Sequence, residues 1–215
     1  LPDYDLTLAE AAGRGRIALG YVLLDQALEP PTEKRGTIVL SGPNPSANFH
    51  AFKGALSNLP PISAAAEGGG ALNVVPDADG VVRRVPLLLR MRDEIVPSFA
   101  AEVLRVAEAA QSYVLRTGAA VGGIQLRIGR VAVPIEPDGE MTLYFAGSHP
   151  ERYISARSIL DGTVDRSEVE RRIILVGVTA LGVKDERATP LNLVAPGVEL
   201  HAEAIEQMLS GQFLT

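Results

Sequence analysis

The sequence predicts an α/β fold, with α+β as the alternative, built on a mixed β-sheet with flanking helices and inserted β-hairpins. Three observations carry this. Short apolar runs such as "RIALGYVLL" and "RRIILVGV" have the length and composition of buried strands. Two amphipathic stretches, opened by Pro97-Ser98 and Pro196-Gly197, repeat at helical spacing. Strand and helix signals alternate along the chain, while Asp/Gly/Pro clusters place hairpin turns between them.

In order, Thr7-x-x-Glu10 has capping-box spacing and predicts a short helix ended by Gly13 or Gly15. "RIALGYVLL" is a buried strand and "TIVLSG", Thr37 to Gly42, a weaker one. Residues 43–70 hold Pro43, Pro45, Pro60, Pro61 and a triple glycine, and read as a long irregular connection with one helical turn around Phe52 to Leu56. "ALNVV" and "GVVRRVPLLLR" flank "PDAD" as the arms of a hairpin, and "RDE" makes the next turn. In the helix after Pro97-Ser98, Phe99, Val103, Val106 and Ala110 fall on one side and Glu102, Arg105 and Glu108 spread over the other. "IQLRIG", "VAVPI" and "MTLYFAG" are strands, with "EPDGE" turning between the last two. "YISARSILDG" is a short helix capped by Ser155 and stopped by Gly162. "RRIILVGV" is the strongest buried-strand candidate of all. In the last helix Val198, Ala202, Ile205 and Leu209 share a face, Glu199, Glu203 and Glu206 point to solvent, and Gly211 ends it.

A chain of 215 residues with 47% hydrophobic content can bury a core, and residues 1–215 are expected to form one domain. The formal charge of -6 and the lack of a basic patch with interleaved aromatics exclude nucleic acid as a partner. Cysteine is absent, which removes disulfides, thiol nucleophiles and cysteine metal sites. The longest apolar run, Ile173 to Val183, is too short to span a bilayer. No metal and no cofactor is expected.

Several motifs invite a chemical reading. Asp77-x-Asp79-Gly80 resembles part of a calcium loop, but Gly80 stands at position 4 and Leu88 at position 12 where a glutamate is required. A turn explains it better: the aspartates bond local backbone and Gly80 supplies a positive φ. Arg83 and Arg84 lie on opposite strand faces, one toward solvent and one free to meet a carboxylate or an anion. "GVTALGVKD", Gly177 to Asp185, lacks the Lys-Ser/Thr that a phosphate loop carries directly after its second glycine. It still follows a strand, and ligands of α/β sheets bind beyond strand carboxyl ends. Gly177, Thr179, Asp185 and Thr189 are therefore ligand-binding candidates, with Asp185 alternatively a loop-organising acceptor. His201, at the edge of the apolar stripe, is either a packed histidine or a ligand-binding or pH-sensing one. His50 and His149 have no partner at useful spacing, and "Gly147-Ser148-His149" lacks the nucleophile elbow of a hydrolase.

Read in order, the pieces "Asn-x-x-x-Asp-x-Asp-Gly-Val-x-Arg", "Val-Pro-Ser-Phe-Ala", "Tyr-Phe-x-Gly", "Ile-Ser-Ala-x-x-Ile-Leu-x-Gly", "Ile-Ile-Leu-Val-Gly-Val-Thr-Ala", Asp185 with Thr189-Pro190, and "Pro196-Gly197-Val198-Glu199-x-His201-Ala202" resemble the type-two CHASE domain from about Asp5 to Leu214. That resemblance implies an extracytoplasmic, periplasmic-side sensor of a bacterial transmembrane receptor, itself non-catalytic. The output would be a nucleotide (adenylate or guanylate) cyclase or a histidine kinase. It further implies a small-molecule or protein signal, attachment to the membrane through flanking helices outside this chain, and homodimerisation. The chain departs from the family at its start, where an earlier strand-helix-strand unit with a Trp-Pro-Trp-like signature is expected to be missing. Two rivals stand beside this reading: an interaction or dimerisation domain without a small ligand, and an α/β hydrolase-like enzyme.

Overall fold

The computed structural model describes residues 3–118, 123–147, 149–179 and 185–214. Helix α1 (Tyr4–Ala12) starts at Asp3, whose carboxylate accepts from the amides of Asp5 and Leu6. The capping residue is thus Asp3 and not Thr7, whose hydroxyl instead donates back to the Asp3 carbonyl at 2.9 Å.

Strand β1 (Ala18–Leu24) is the centre of a three-stranded sheet, antiparallel to β4 (Gly54–Leu56) and parallel to β5 (Gly68–Ala71). Strand β2 (Thr37–Ser41) is the parallel edge of a four-stranded sheet completed by the antiparallel β9 (Ser112–Gly118), β10 (Gly123–Ile128) and β11 (Val131–Ile135). Strands β3 (Ala51–Phe52), β7 (Leu88–Met91) and β8 (Glu94–Pro97) form a third sheet, in which Arg92 turns the β7–β8 hairpin at φ 54°. Two short ladders join β6 (Arg84–Pro86) to β12 (Glu140–Thr142) and β13 (Glu186–Arg187) to β14 (Ala195–Pro196). The fold class is therefore the predicted one, a mixed α/β arrangement with inserted hairpins.

Helix α3 (Phe99–Ala107) is the hub. Ser98 caps it through the Ala101 amide, and it packs on β1, β5, β10 and the last helix, α6 (Gly197–Ser210). Leu87, Leu88, Leu104, Leu115, Leu126, Ile128 and Leu200 are sealed in one cluster between these elements. Each such side chain contributes about 2 kcal/mol by leaving water.

Burial on both sides of α3 changes the meaning of its polar residues. Glu102 is 0% exposed and Arg105 8%, so the charged side of this helix faces the interior. The charges are matched there: Arg105 Nη2 lies 2.7 Å from Glu102 Oε1, and the guanidinium also donates to the carbonyls of Ala110 and Glu67. The Tyr113 hydroxyl donates to the second Glu102 oxygen. A buried pair is tolerable only when its hydrogen bonds are completed in this way.

The triple glycine is β5, not an irregular connection. A Cβ on Gly68 would meet Glu102 Oε1 at 2.4 Å, one on Gly69 would meet Glu33 Cβ at 2.3 Å, and one on Gly70 would meet the Ser98 carbonyl at 2.5 Å. Three bare residues let buried charges and the start of α3 close on the backbone. The helical turn expected at Phe52 to Leu56 is likewise β3 and β4, while the helix of this region is α2 (Pro60–Ala65), opened by its prolines.

Two further expectations are corrected. "ALNVV" and "GVVRRVPLLLR" do not pair with each other: β5 pairs with β1, and β6 pairs with β12 across the chain. "RRIILVGV" forms no ladder among the described residues, and Ile174 and Val176 are 53% and 93% exposed. Only Leu175 packs against the core. A strand is buried by its neighbours, and no described edge is presented to this segment. The short helix α4 (Ala156–Leu160) has Ser155 as cap and Gly162 at φ 68°, as its sequence signals require. Helix α5 (Arg166–Val169) follows with a complete Asp165–Glu168 capping box.

Candidate functional site

Three of the five predicted ligand residues, Gly177, Asp185 and His201, fall around the first turns of α6. That helix begins at Pro196-Gly197 and ends at Gly211, whose φ of 69° closes it in the left-handed region. The Gly197 amide donates to the Asp185 carbonyl at 2.8 Å, and a Cβ on Gly197 would lie 2.4 Å from Asp185 Oδ1. The Asp185 carboxylate thus rests on the positive end of the helix, 3.4 Å from Arg187. Gly177 approaches one residue further on: its added Cβ would meet Val198 Cβ at 2.7 Å. Asp185 and Gly177 are brought together at one helix end by residues that must be glycine on one side of each contact.

His201 lies one turn along α6, 6% exposed, with its ring edge-on to Phe99 at 5.3 Å between centroids. Burial, seconded by the Arg187 charge, pushes its pKa down to about 4, so the ring is neutral at ordinary pH. Thr189 is buried in a separate small turn, where its hydroxyl and amide both engage Asn192. Thr179 is exposed and unbonded among the described residues, and residues 180–184 of the loop, with Ser148 of the "Gly147-Ser148-His149" motif, lie outside them.

Two polar features of α6 escaped the periodicity argument. Glu203, expected in water, is 6% exposed, and its carboxyl is held above the usual range chiefly by burial. Gln207 is also buried: its Oε1 accepts from the Tyr144 amide at 2.8 Å and its Nε2 donates to the Thr142 carbonyl at 2.9 Å. Helix and the strand end beside it are zipped by one side chain.

The Asp77–Gly80 stretch is a turn: Gly80 (φ 81°) donates to the Asp77 carbonyl and Val81 to Asp79 Oδ1. Its carboxylates do not point idly into water. Arg83 bridges Asp77 and Asp79 at 2.7 and 2.8 Å, and Arg84 joins Asp77 to Asp138 and Glu140. The expected division of one arginine to solvent and one to a carboxylate is therefore replaced by two engaged arginines. Arg83 holds the Asp79 carboxyl down to about 2. His50, for which the sequence offers no partner, meets Glu140 at 2.9 Å, a contact between residues 90 apart that no local signal could reveal. His50, Asp138 and Glu140 are close enough to hold a cation, and the Arg84 guanidinium already lies 3.6 and 3.4 Å from the two carboxylates. The turn is also tied to the candidate loop, through the Val82 amide and the Ala188 carbonyl at 2.8 Å.

Among the described residues no helix is long and apolar enough to cross a membrane. A family model described as the CHASE2 domain matches residues 3–215. No curated protein and no solved structure matches the chain.

Proposed function

Since the chain belongs to the CHASE2 domain family, a family of extracellular sensory, non-catalytic domains, we propose that it is the periplasmic signal-input domain of a bacterial transmembrane receptor with a nucleotide cyclase or histidine kinase output. The observation that best supports a signal route is the meeting of Gly177 and Asp185 with the first turn of α6. A ligand bound against Gly177 and Asp185 would press directly on Gly197 and Val198. Helix α6 is gripped by α3 along its apolar side, so it responds as a rigid body. Binding one position of that helix better than another shifts the population between two states and carries the signal toward the membrane. Gly177, Thr179, Asp185, Thr189 and His201 remain the residues assigned to ligand contact or its support, in a homodimeric receptor.

A metabolite screen by thermal unfolding tests this, run on the wild type and on Asp185→Ala. The reading expects a compound that raises the melting temperature of the wild type only; a hit that stabilises both equally removes Asp185 from the site. A second reading, an interaction domain without a small ligand, is favoured by one specific feature: the exposed apolar side chains of Ile173, Ile174, Val176 and Val178, which join no ladder among the described residues. An unpaired strand-forming segment is a template for pairing with another chain. Sedimentation of the wild type against Val176→Lys separates the two, because only the interaction reading requires association to be lost.

A further inference from the structure

A second candidate site lies away from α6. The segment leading into β2 and the β7–β8 hairpin enclose an open cleft of about 510 Å³, within the range of small-molecule sites. Its walls carry Glu33, Arg35, Asp93 and Glu94. Glu33 is 4% exposed and ordered from one side: its Oε1 accepts from the Asn58 amide, Asn58 Nδ2 and Ser63 Oγ at 3.0, 2.9 and 3.0 Å. These bonds, acting against burial, keep its carboxyl below the usual range and therefore ionised. Among the described residues its Oε2 is buried with no partner that meets hydrogen-bond geometry, and so are Arg35 Nη1 and the hydroxyl of Tyr21. Tyr21 is 2% exposed; burial pushes its hydroxyl up to about 12, and the adjacent Arg35 guanidinium, near enough to share a hydrogen bond with it, works against that rise. Arg35 Nη2 makes a long 3.4 Å pair with Glu94.

A buried anionic acceptor and a buried cationic donor, Glu33 Oε2 and Arg35 Nη1, belong to residues lining one cleft, with Tyr21 beside Arg35. Folded chains seldom leave such atoms unmatched, because each forfeits hydration without compensation. Gly69 and Gly36 give up their side chains at this place: a Cβ on Gly69 would strike Glu33, and one on Gly36 would strike Arg105 at 2.3 Å. The geometry points to this cleft as a binding site for a small zwitterion of the amino-acid type, its ammonium donating to Glu33 Oε2 and its carboxylate accepting from Arg35 Nη1. Arg35 turns from Glu94 as the ligand enters. The acidic rim of Asp93 and Glu94 then favours a second positive charge, so a basic amino acid fits best. The competing occupant is internal water at these atoms. This site is independent of the loop at Gly177–Asp185.

Calorimetric titration of the 215-residue chain with L-lysine, cadaverine and Nα-acetyl-lysine tests the assignment. Lysine is expected to bind, and each analogue lacking one charged arm to bind at least about tenfold more weakly. Glu33→Gln, which keeps the Oε1 acceptor, loses a similar factor with an unchanged circular dichroism spectrum. Glu94→Gln, at an exposed rim position, weakens lysine while leaving alanine unaffected, and keeps the test alive where Glu33→Gln does not fold. Amide resonances of Gly36 and Thr37 shift on binding, and Asp185→Ala changes none of this. No binding of lysine, arginine or alanine at about 10 mM leaves the internal water as the occupant and overturns the proposal. Shifts confined to the start of α6 overturn it equally.

Discussion

His201 shows how one buried ring couples stability to pH. The unfolded chain takes up a proton near 6.5 and the folded one only near about 4, so between these values the unfolded state binds more protons. Stability therefore falls on acidification across that window, by about 3 kcal/mol in all. His50 acts in the opposite sense: Glu140 raises its pKa, so its contribution is present at low pH and fades as pH rises through the raised value. The His201 effect is isolated by difference. Urea midpoints of wild type and His201→Leu are expected to converge as pH is lowered from 7 toward 4, and parallel curves would refute the assignment. At Gly69, where no Cβ fits beside Glu33, Gly69→Ala is expected to cost about 2–4 kcal/mol. Its melting temperature measures this.

At the scale of elements, α6 is fastened by Gln207 as much as by its apolar stripe. Gln207→Ala leaves the Tyr144 amide and the Thr142 carbonyl without partners and is expected to cost about 2–3 kcal/mol in denaturant unfolding. Amide exchange should quicken at the end of β12 while β9 and β10 stay protected. What the sequence reveals of these elements follows from what is local. Ser98, Ser155 and Gly211 mark helix ends because capping is decided within one turn. Glu102, Arg105, Glu203 and Gln207 look like solvent-facing residues because periodicity separates polar from apolar but does not say which side is covered. Their burial depends on β5, β9 and β12 closing over them. β9 goes unnoticed since "SYVLRTG" alternates weakly, and its place is set by pairing with β2 and β10. The glycine strand is invisible for the same reason: its fitness lies in what its neighbours need, not in its own propensity.

The α/β body carries an exposed apolar segment, Ile173 to Val178, on its surface. Leu175 and Gly177 touch the core and α6, while Ile174, Val176 and Val178 face outward. Val176→Lys is expected to leave folding stability within about 0.5 kcal/mol while weakening any association through this face, read by sedimentation. Of the candidate site, the buried strand expected at "RRIILVGV" to present the loop forms no ladder among the described residues, and the contacts of Asp185 with Gly197 and Gly177 with Val198 join residues 12 and 21 apart and exist only in the fold. The central claim is that this contact between loop and helix is the signal route. A chain without cysteine permits a direct test. Gly177→Cys and Val198→Cys are introduced together in the full-length protein, and the cyclase or kinase output proposed for it is measured in membrane vesicles after oxidation and again after reduction. The account predicts an output fixed severalfold above or below the reduced level by the cross-link, unresponsive to stimulus and restored by reductant. Unchanged output, with cross-linking verified by thiol labelling, would contradict it.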